Sequence, residues 1–379
     1  MATIANALPA LQVRQRLDRL RETLDDAEVD ALLVTTLANV RYLTGFSGSA
    51  ALLVVTADRA LLTTDGRYRT QSAEQVAAAG VGDVVDIEIG GAGAQRDAVR
   101  SVVEPAPVAT LGLEAEDVSW ASAMRWTEHL DGAVEVRRTA GVVEELREVK
   151  DDGEIARMLR AAAIADGALG EVLPLLSSAT ERILTEAELA LALDTAMRRG
   201  GADGLAFETI VASGPNSAKP HHEPGERVIR AGDAVVIDFG AMFEGYRSDM
   251  TRTFCVGGPP TGELATVFEV VAESQRLGVA QVEPGVTTGS VDRVCRDAIA
   301  ASGWADRFEH GTGHGVGLDI HEGPSVGPGS TAILEPGTVV TVEPGVYLPG
   351  TGGVRIEDTL VVTEHGSRSL TRFPKEVAV

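Results

Sequence analysis

Four acidic residues interrupt apolar runs in this 379-residue chain: Asp238 in VVIDFG, Asp249 in YRSDMTRTF, Glu343 in VVTVEPG and Glu357 in GVRIEDTLVV. Burying an unpaired carboxylate is costly, so an acid inside a strand pattern needs a partner. Two carboxylates held close together repel unless a proton or a cation lies between them. A second stretch, HGTGHGVGLDIHE, places His310, His314 and His321 among Gly311, Gly313, Gly315 and Gly317. Glycines this dense predict backbone with positive φ and close approach to a ligand. Taken alone, the stretch reads as a glycine-rich turn or as a three-histidine zinc site. Taken with the acids, it supplies one imidazole to a set of oxygens, which suits a hard divalent cation such as manganese, or cobalt, better than a thiolate-preferring metal. Four carboxylates carry enough charge for two ions roughly 3.5 Å apart.

The elements that must position these residues are legible in outline. DAVVIDFGAMFEGYRSDMTRTFCVG, Asp233 to Gly257, reads as two neighbouring strands with a turn near Glu244-Gly245. If these pair as a hairpin, Asp238 and Asp249 share one face at adjacent positions. TIVASGPNSAKPHH is a strand passing into a loop, helices are expected at about Leu264 to Val282 and Ser290 to Ser302, and the carboxy-terminal part is strands with Pro-Gly and Gly-Gly turns. Asp151 with Glu154, and Thr185 with Glu188, have the form of helix starts. Residues 146–379 therefore read as an α+β domain with largely antiparallel strands. Residues 1–145 alternate strand and helix as an α/β domain does. That part holds one histidine, His129, and no evident cluster of convergent polar groups, so it is expected to serve structure or substrate gating.

Composition bounds the rest. Length favours two domains. Hydrophobic content is 44%, with no apolar stretch able to span a bilayer. The opening residues lack the form of a secretory signal, so a soluble cytoplasmic protein is expected. Cys255 and Cys295 form no CxxC pattern and are expected to be buried reduced thiols. A net charge of −23 argues against nucleic acid or an anionic membrane as partner.

These residues, in this order, resemble the pita-bread metallopeptidases, the group of Xaa-Pro aminopeptidases, prolidases and methionine aminopeptidases. ALLVTTLANVRYLTGFSGSAALLVV followed by LLTTDGRY resembles the amino-terminal domain of the proline-specific branch, which creatinases share without the full ligand set. The resemblance implies a pita-bread catalytic domain behind a creatinase-type α/β domain, metal ligands at Asp238, Asp249, His314, Glu343 and Glu357, and active-site histidines at His221 and His321. His310 is expected to line the substrate pocket, and Arg355 to orient carboxylates. His222, His129 and His365 match no role and are expected in loops or at the surface. The implied activity is hydrolysis of the bond preceding proline by a hydroxide bridging two metals, with Glu343 passing the proton. Some dipeptidase-like relatives carry an arginine shortly after the last motif histidine. Here HEGPSVG has Ser325 instead, which tilts the expectation to aminopeptidase P-type action over prolidase. A catalytically silent peptide-binding module is the remaining alternative. The resemblance also implies a homodimer.

Overall fold

The computed structural model describes residues 8–105 and 108–379. The chain divides into one compact unit of Ala10–Arg147 and another that contains Glu148–Val379. The expected boundary at 145/146 falls inside the helix Val142–Glu148.

In the amino-terminal unit, strands β1 (Ala31–Val34), β2 (Ala51–Thr56), β3 (Ala60–Thr64), β4 (Asp86–Ile89), β5 (Thr110–Glu114) and β6 (Glu135–Thr139) form one sheet in the order β4-β3-β2-β1-β5-β6. The β2–β3 hairpin is antiparallel, and β3–β4, β1–β5 and β5–β6 are parallel. Leu33, Val54, Val99, Leu111 and Leu130 are among its fully buried side chains. The expectation that this unit lacks convergent polar groups is corrected. The buried Glu114 carboxylate accepts the backbone N–H groups of Thr35 and Thr36 at 2.6 and 2.8 Å and Asn39 Nδ2 at 2.6 Å. Arg147 then donates to Asn39 Oδ1 at 2.7 Å. These partners lie far apart in the chain, so no local pattern announces them. His129 is half-buried rather than at the surface, its ring 3.4 Å from Asp97, while His365 is exposed.

In the carboxy-terminal unit, helix α1 (Asp152–Ser177) and helix α2 (Glu186–Arg199) both open with complete capping boxes, Asp151/Glu154 and Thr185/Glu188. Each pair satisfies two helix-end donors reciprocally. Strands β7 (Ile210–Ser213), β8 (Ala234–Phe239) and β9 (Met250–Cys255) form an antiparallel sheet with β8 in the centre. Helices α3 (Glu263–Gln281) and α4 (Thr288–Ala301) come next. A second antiparallel sheet follows, built from β10 (Gly313–Gly315), β11 (Glu322–Val326), β12 (Val339–Val342), β13 (Asp358–Thr363) and β14 (Gly366–Ser369) in the order β11-β10-β12-β13-β14. A hairpin of Gly345–Leu348 with Gly352–Arg355, and a small antiparallel sheet of Gly204–Leu205, Ala241–Phe243 and Tyr246–Arg247 that turns at Glu244-Gly245, complete the unit. Leu169, Leu193, Ile237 and Phe254 bury one helix pair against the first sheet, and Val271, Val291, Val342 and Leu360 bury the other against the second. Each such side chain contributes about 1.5–3 kcal/mol when fully removed from water. The result is a packed apolar base under the strand ends that carry the acids.

The motif glycines work differently from the expectation. None of Gly311, Gly313, Gly315 and Gly317 has positive φ. Instead, a Cβ on Gly313 would meet the Thr341 carbonyl, one on Gly315 the Gly323 carbonyl, and one on Gly317 the Glu322 carboxylate. Close packing of neighbouring strands, rather than left-handed backbone, demands glycine here.

Candidate metal centre

Asp238 and Asp249 are brought together by strand register. Thr251 pairs with Asp238 across β8 and β9, and Asp249, two residues before Thr251, points to the same side. Glu357 lies between Arg355 and β13, with its backbone N–H bonded to the Thr251 carbonyl at 3.1 Å. One carboxylate oxygen from each of Asp238, Asp249 and Glu357 lies within 4.8 Å of the others. Glu343 follows β12 and His314 sits on β10, and His314 Nε2 is 3.3 Å from Glu343 and 3.6 Å from Asp249. The structure thus brings all five expected ligand positions to one place.

The donor set fits a cation. Among the described residues, Asp238 Oδ1 and Glu357 Oε1 are buried without a hydrogen-bond partner, a costly condition unless something positive faces them. His314 Nδ1 bonds the Gly315 carbonyl at 3.0 Å and so carries a proton, which makes Nε2, beside Glu343 and Asp249, the nitrogen that would meet a cation. Burial pushes the Asp249 and Glu357 carboxyls well above the usual range, and the neighbouring carboxylates add to it. Asp238 is also raised by burial, against the pull of Arg355. Burial would raise Glu343 too, but His314, His310 and Arg355 outweigh it and hold it down at about 2. One acid stays ionised while its neighbours seek charge compensation.

Arg355 is the organiser. It is buried and donates to Asp238 Oδ2 at 2.7 Å, to Thr251 Oγ1 at 3.2 Å, to Tyr347 Oη at 2.9 Å and to the Pro220 carbonyl at 3.4 Å. Tyr347 Oη lies 2.9 Å from His310 Nε2, and His310 Nδ1 is 2.7 Å from the Gly311 carbonyl. A carbonyl only accepts, so His310 Nδ1 carries the proton, and in the neutral ring that burial favours Nε2 accepts from the Tyr347 hydroxyl. Sequence reasoning missed Tyr347, since an aromatic residue in an apolar strand carries no local mark; only the rule that a buried Tyr hydroxyl needs a partner points to it. It also missed Thr341, whose hydroxyl accepts from His314 N at 3.1 Å and donates to Glu343 at 3.1 Å.

A cleft of about 420 Å³ opens onto the acids. His221, His310 and His321 line it, as do Phe207, Ile210 and Ile320. His321 meets His314 edge-on with ring centroids 4.4 Å apart. Among the described residues, Arg355 is the only lysine or arginine in the lining, and it is fully engaged. His222, expected as a loop residue without a role, is half-buried, with Nε2 2.8 Å from Glu186.

With this geometry in view, likeness to known proteins can be placed. Residues 156–364 match metallopeptidase family M24, and residues 16–149 match the creatinase/prolidase N-terminal domain. An uncharacterized peptidase of Bacillus subtilis is 42% identical over 96% of this chain and 99% of its own. The structure of an Xaa-Pro dipeptidase from Bacillus anthracis superposes with a TM-score of 0.90 at 38% identity, covering 97% of this chain and 100% of that one. An X-Pro aminopeptidase from Thermotoga maritima superposes with a TM-score of 0.84 at 34% identity, covering 96% and 100%.

Proposed function

The chain belongs to metallopeptidase family M24, and from that premise we propose that it is a hydrolase that releases the first residue from Xaa-Pro peptides, as an aminopeptidase P does. One observation carries the reading: Asp238, Asp249 and Glu357 converge, two of their buried oxygens lack a partner, and the His314–Glu343 pair adjoins them.

Asp238, Asp249, His314, Glu343 and Glu357 would hold two divalent cations, with manganese the first choice and cobalt or zinc the alternatives, because the set is oxygen-rich with a single imidazole. When bound, such ions act as Lewis acids and lower the pKa of a shared water toward neutrality. The protein's side chains do the rest. Glu343 lines the cleft beside His314 and is the residue placed to take a proton and deliver it to the leaving nitrogen. That delivery matters because the bond before proline is a tertiary amide whose nitrogen carries no hydrogen. His221 and His321 are exposed to the cleft and donate to the oxyanion as it forms. Burial lowers His321, so its ring is a neutral donor at pH 7. His310 has both ring nitrogens occupied and serves as cleft wall. Arg355 holds Asp238 in place. Phe207, Ile210 and Ile320 offer apolar surface to the proline ring and the first side chain.

Ser325 supports the aminopeptidase reading, since among the described residues the lining holds no uncommitted lysine or arginine to grip a dipeptide's carboxylate. The likeness to the Bacillus anthracis dipeptidase favours a second reading, Xaa-Pro dipeptidase. We also read the protein as a cytoplasmic homodimer: its buried, unpaired Cys255 and Cys295 suit a reducing compartment, and the pairing is what the family resemblance implies. The decisive assay compares an Xaa-Pro dipeptide with an Xaa-Pro-Yaa tripeptide under added manganese, cobalt or zinc. Metal-dependent release of Xaa from the tripeptide is expected. No turnover with any ion, together with no metal retained after gentle purification, would sink the proposal.

A further inference from the structure

Glu186, in the first turn of α2, is fully buried and has no part in the chemistry above. A buried carboxylate is tolerated only when its lone pairs are filled, and here they are. Ser213 donates through N at 2.8 Å and Oγ at 2.7 Å, and Asn216 Nδ2 donates at 3.1 Å. The other oxygen faces His222 Nε2 at 2.8 Å and the Gly225 N–H at 3.3 Å. Three segments are thereby stitched to one carboxylate: the end of β7, the 3-10 turn Gly214–Ala218, and the loop containing residues 222–225.

His221 sits between two anchors, only one of which is made by Glu186. On one side the Pro220 carbonyl accepts from Arg355 at 3.4 Å, and Arg355 also holds Asp238. On the other side His222 is tied to Glu186. The His221 ring itself lines the cleft and, among the described residues, has no hydrogen-bond partner to steady it. Its aim is therefore set by its backbone, and its backbone is set by its neighbours.

We propose that His222, acting through Glu186, is a positioning residue that aims His221 at the reacting carbonyl. The inference rests on the function proposed above and deepens it. A group misplaced by about 1 Å can lose a large part of its catalytic effect, up to about 100-fold, so the tether is expected to appear in kcat rather than in KM.

The test uses the full-length protein and the variants His222→Ala and His222→Gln, manganese-loaded for the tripeptide assay, melting temperature and metal content, and loaded with diamagnetic zinc for the side-chain spectrum of 15N-histidine-labelled protein. His222→Ala is expected to lower kcat about ten-fold, with KM, metal content and melting temperature near wild type. In the same variant the His221 resonances move while those of His129 and His365 stay. His222→Gln retains a donor for Glu186 and is expected to restore most of kcat and the wild-type His221 signals. Should His222→Ala fail to fold, Glu186→Gln weakens the same contact and must move the same resonances. Wild-type kcat and unmoved His221 resonances in whichever of the two folds would overturn the inference. If the wild type hydrolyses no Xaa-Pro peptide, the functional reading fails, and the resonances alone decide the placement of His221.

Discussion

Lys150 and Glu322 form an ion pair of 2.7 Å with side chains only 1% and 6% exposed. Glu322 ends the histidine motif next to His321, and also accepts the Asp319 N–H at 3.2 Å. Replacing Lys150 by Met removes the cation and leaves a buried carboxylate at the end of the histidine motif. Breaking a buried pair from one side costs about 3–5 kcal/mol. The Asp319 contact survives, so the lower end, about 3 kcal/mol, is expected. A domain of this size loses about 2–4 °C per kcal/mol, so the carboxy-terminal unit should melt about 6–12 °C lower. Calorimetry scores that transition. The double variant Lys150→Met/Glu322→Gln removes both charges of the pair and should recover most of the loss, because the amide oxygen still accepts from Asp319. A single-variant loss below about 1 kcal/mol, or strict additivity in the double variant, would refute the reasoning that charge burial, rather than packing of the lysine stem, is what the pair controls.

Three further outcomes are open to measurement. His314→Ala should abolish turnover and lower metal content while leaving the circular dichroism spectrum unchanged, since it removes a donor at the cleft and not a core side chain; retained turnover would refute its assignment. Ser325→Arg places a cation in the lining and should raise the preference for an Xaa-Pro dipeptide over the tripeptide about ten-fold, as a charged hydrogen bond contributes about 1.5–3 kcal/mol; an unchanged ratio of kcat/KM values counts against the carboxylate argument. Burial pushes the Cys295 thiol up to about 11, so the reactive thiolate is scarce at pH 8 and becomes abundant only as pH rises toward that value. Mass spectrometry after alkylation at pH 8 should find Cys295 unmodified in the folded protein and modified once it is unfolded, whereas rapid native labelling would contradict its burial.

What the chain alone determined is what depends on a few neighbouring residues. The Asp151/Glu154 and Thr185/Glu188 helix starts form as expected, because a capping box closes within one turn. Asp238 and Asp249 share a face because hairpin register follows from strand alternation and a turn at Glu244-Gly245. The acids stood out because a carboxylate in an apolar strand conflicts with its surroundings, and that conflict is visible residue by residue. Tertiary structure decided the rest. Tyr347 bridges His310 and Arg355, His222 answers Glu186, and Lys150 meets Glu322, each across segments that no periodicity links. The same holds for the motif glycines, whose reason lies in the carbonyls of Thr341 and Gly323 on adjacent strands rather than in their own φ angles. Periodic patterns report which face of an element is buried. Which polar groups then meet across that face depends on how sheets and helices pack, and the requirement that each buried polar group find a partner is satisfied only after packing has brought distant segments together.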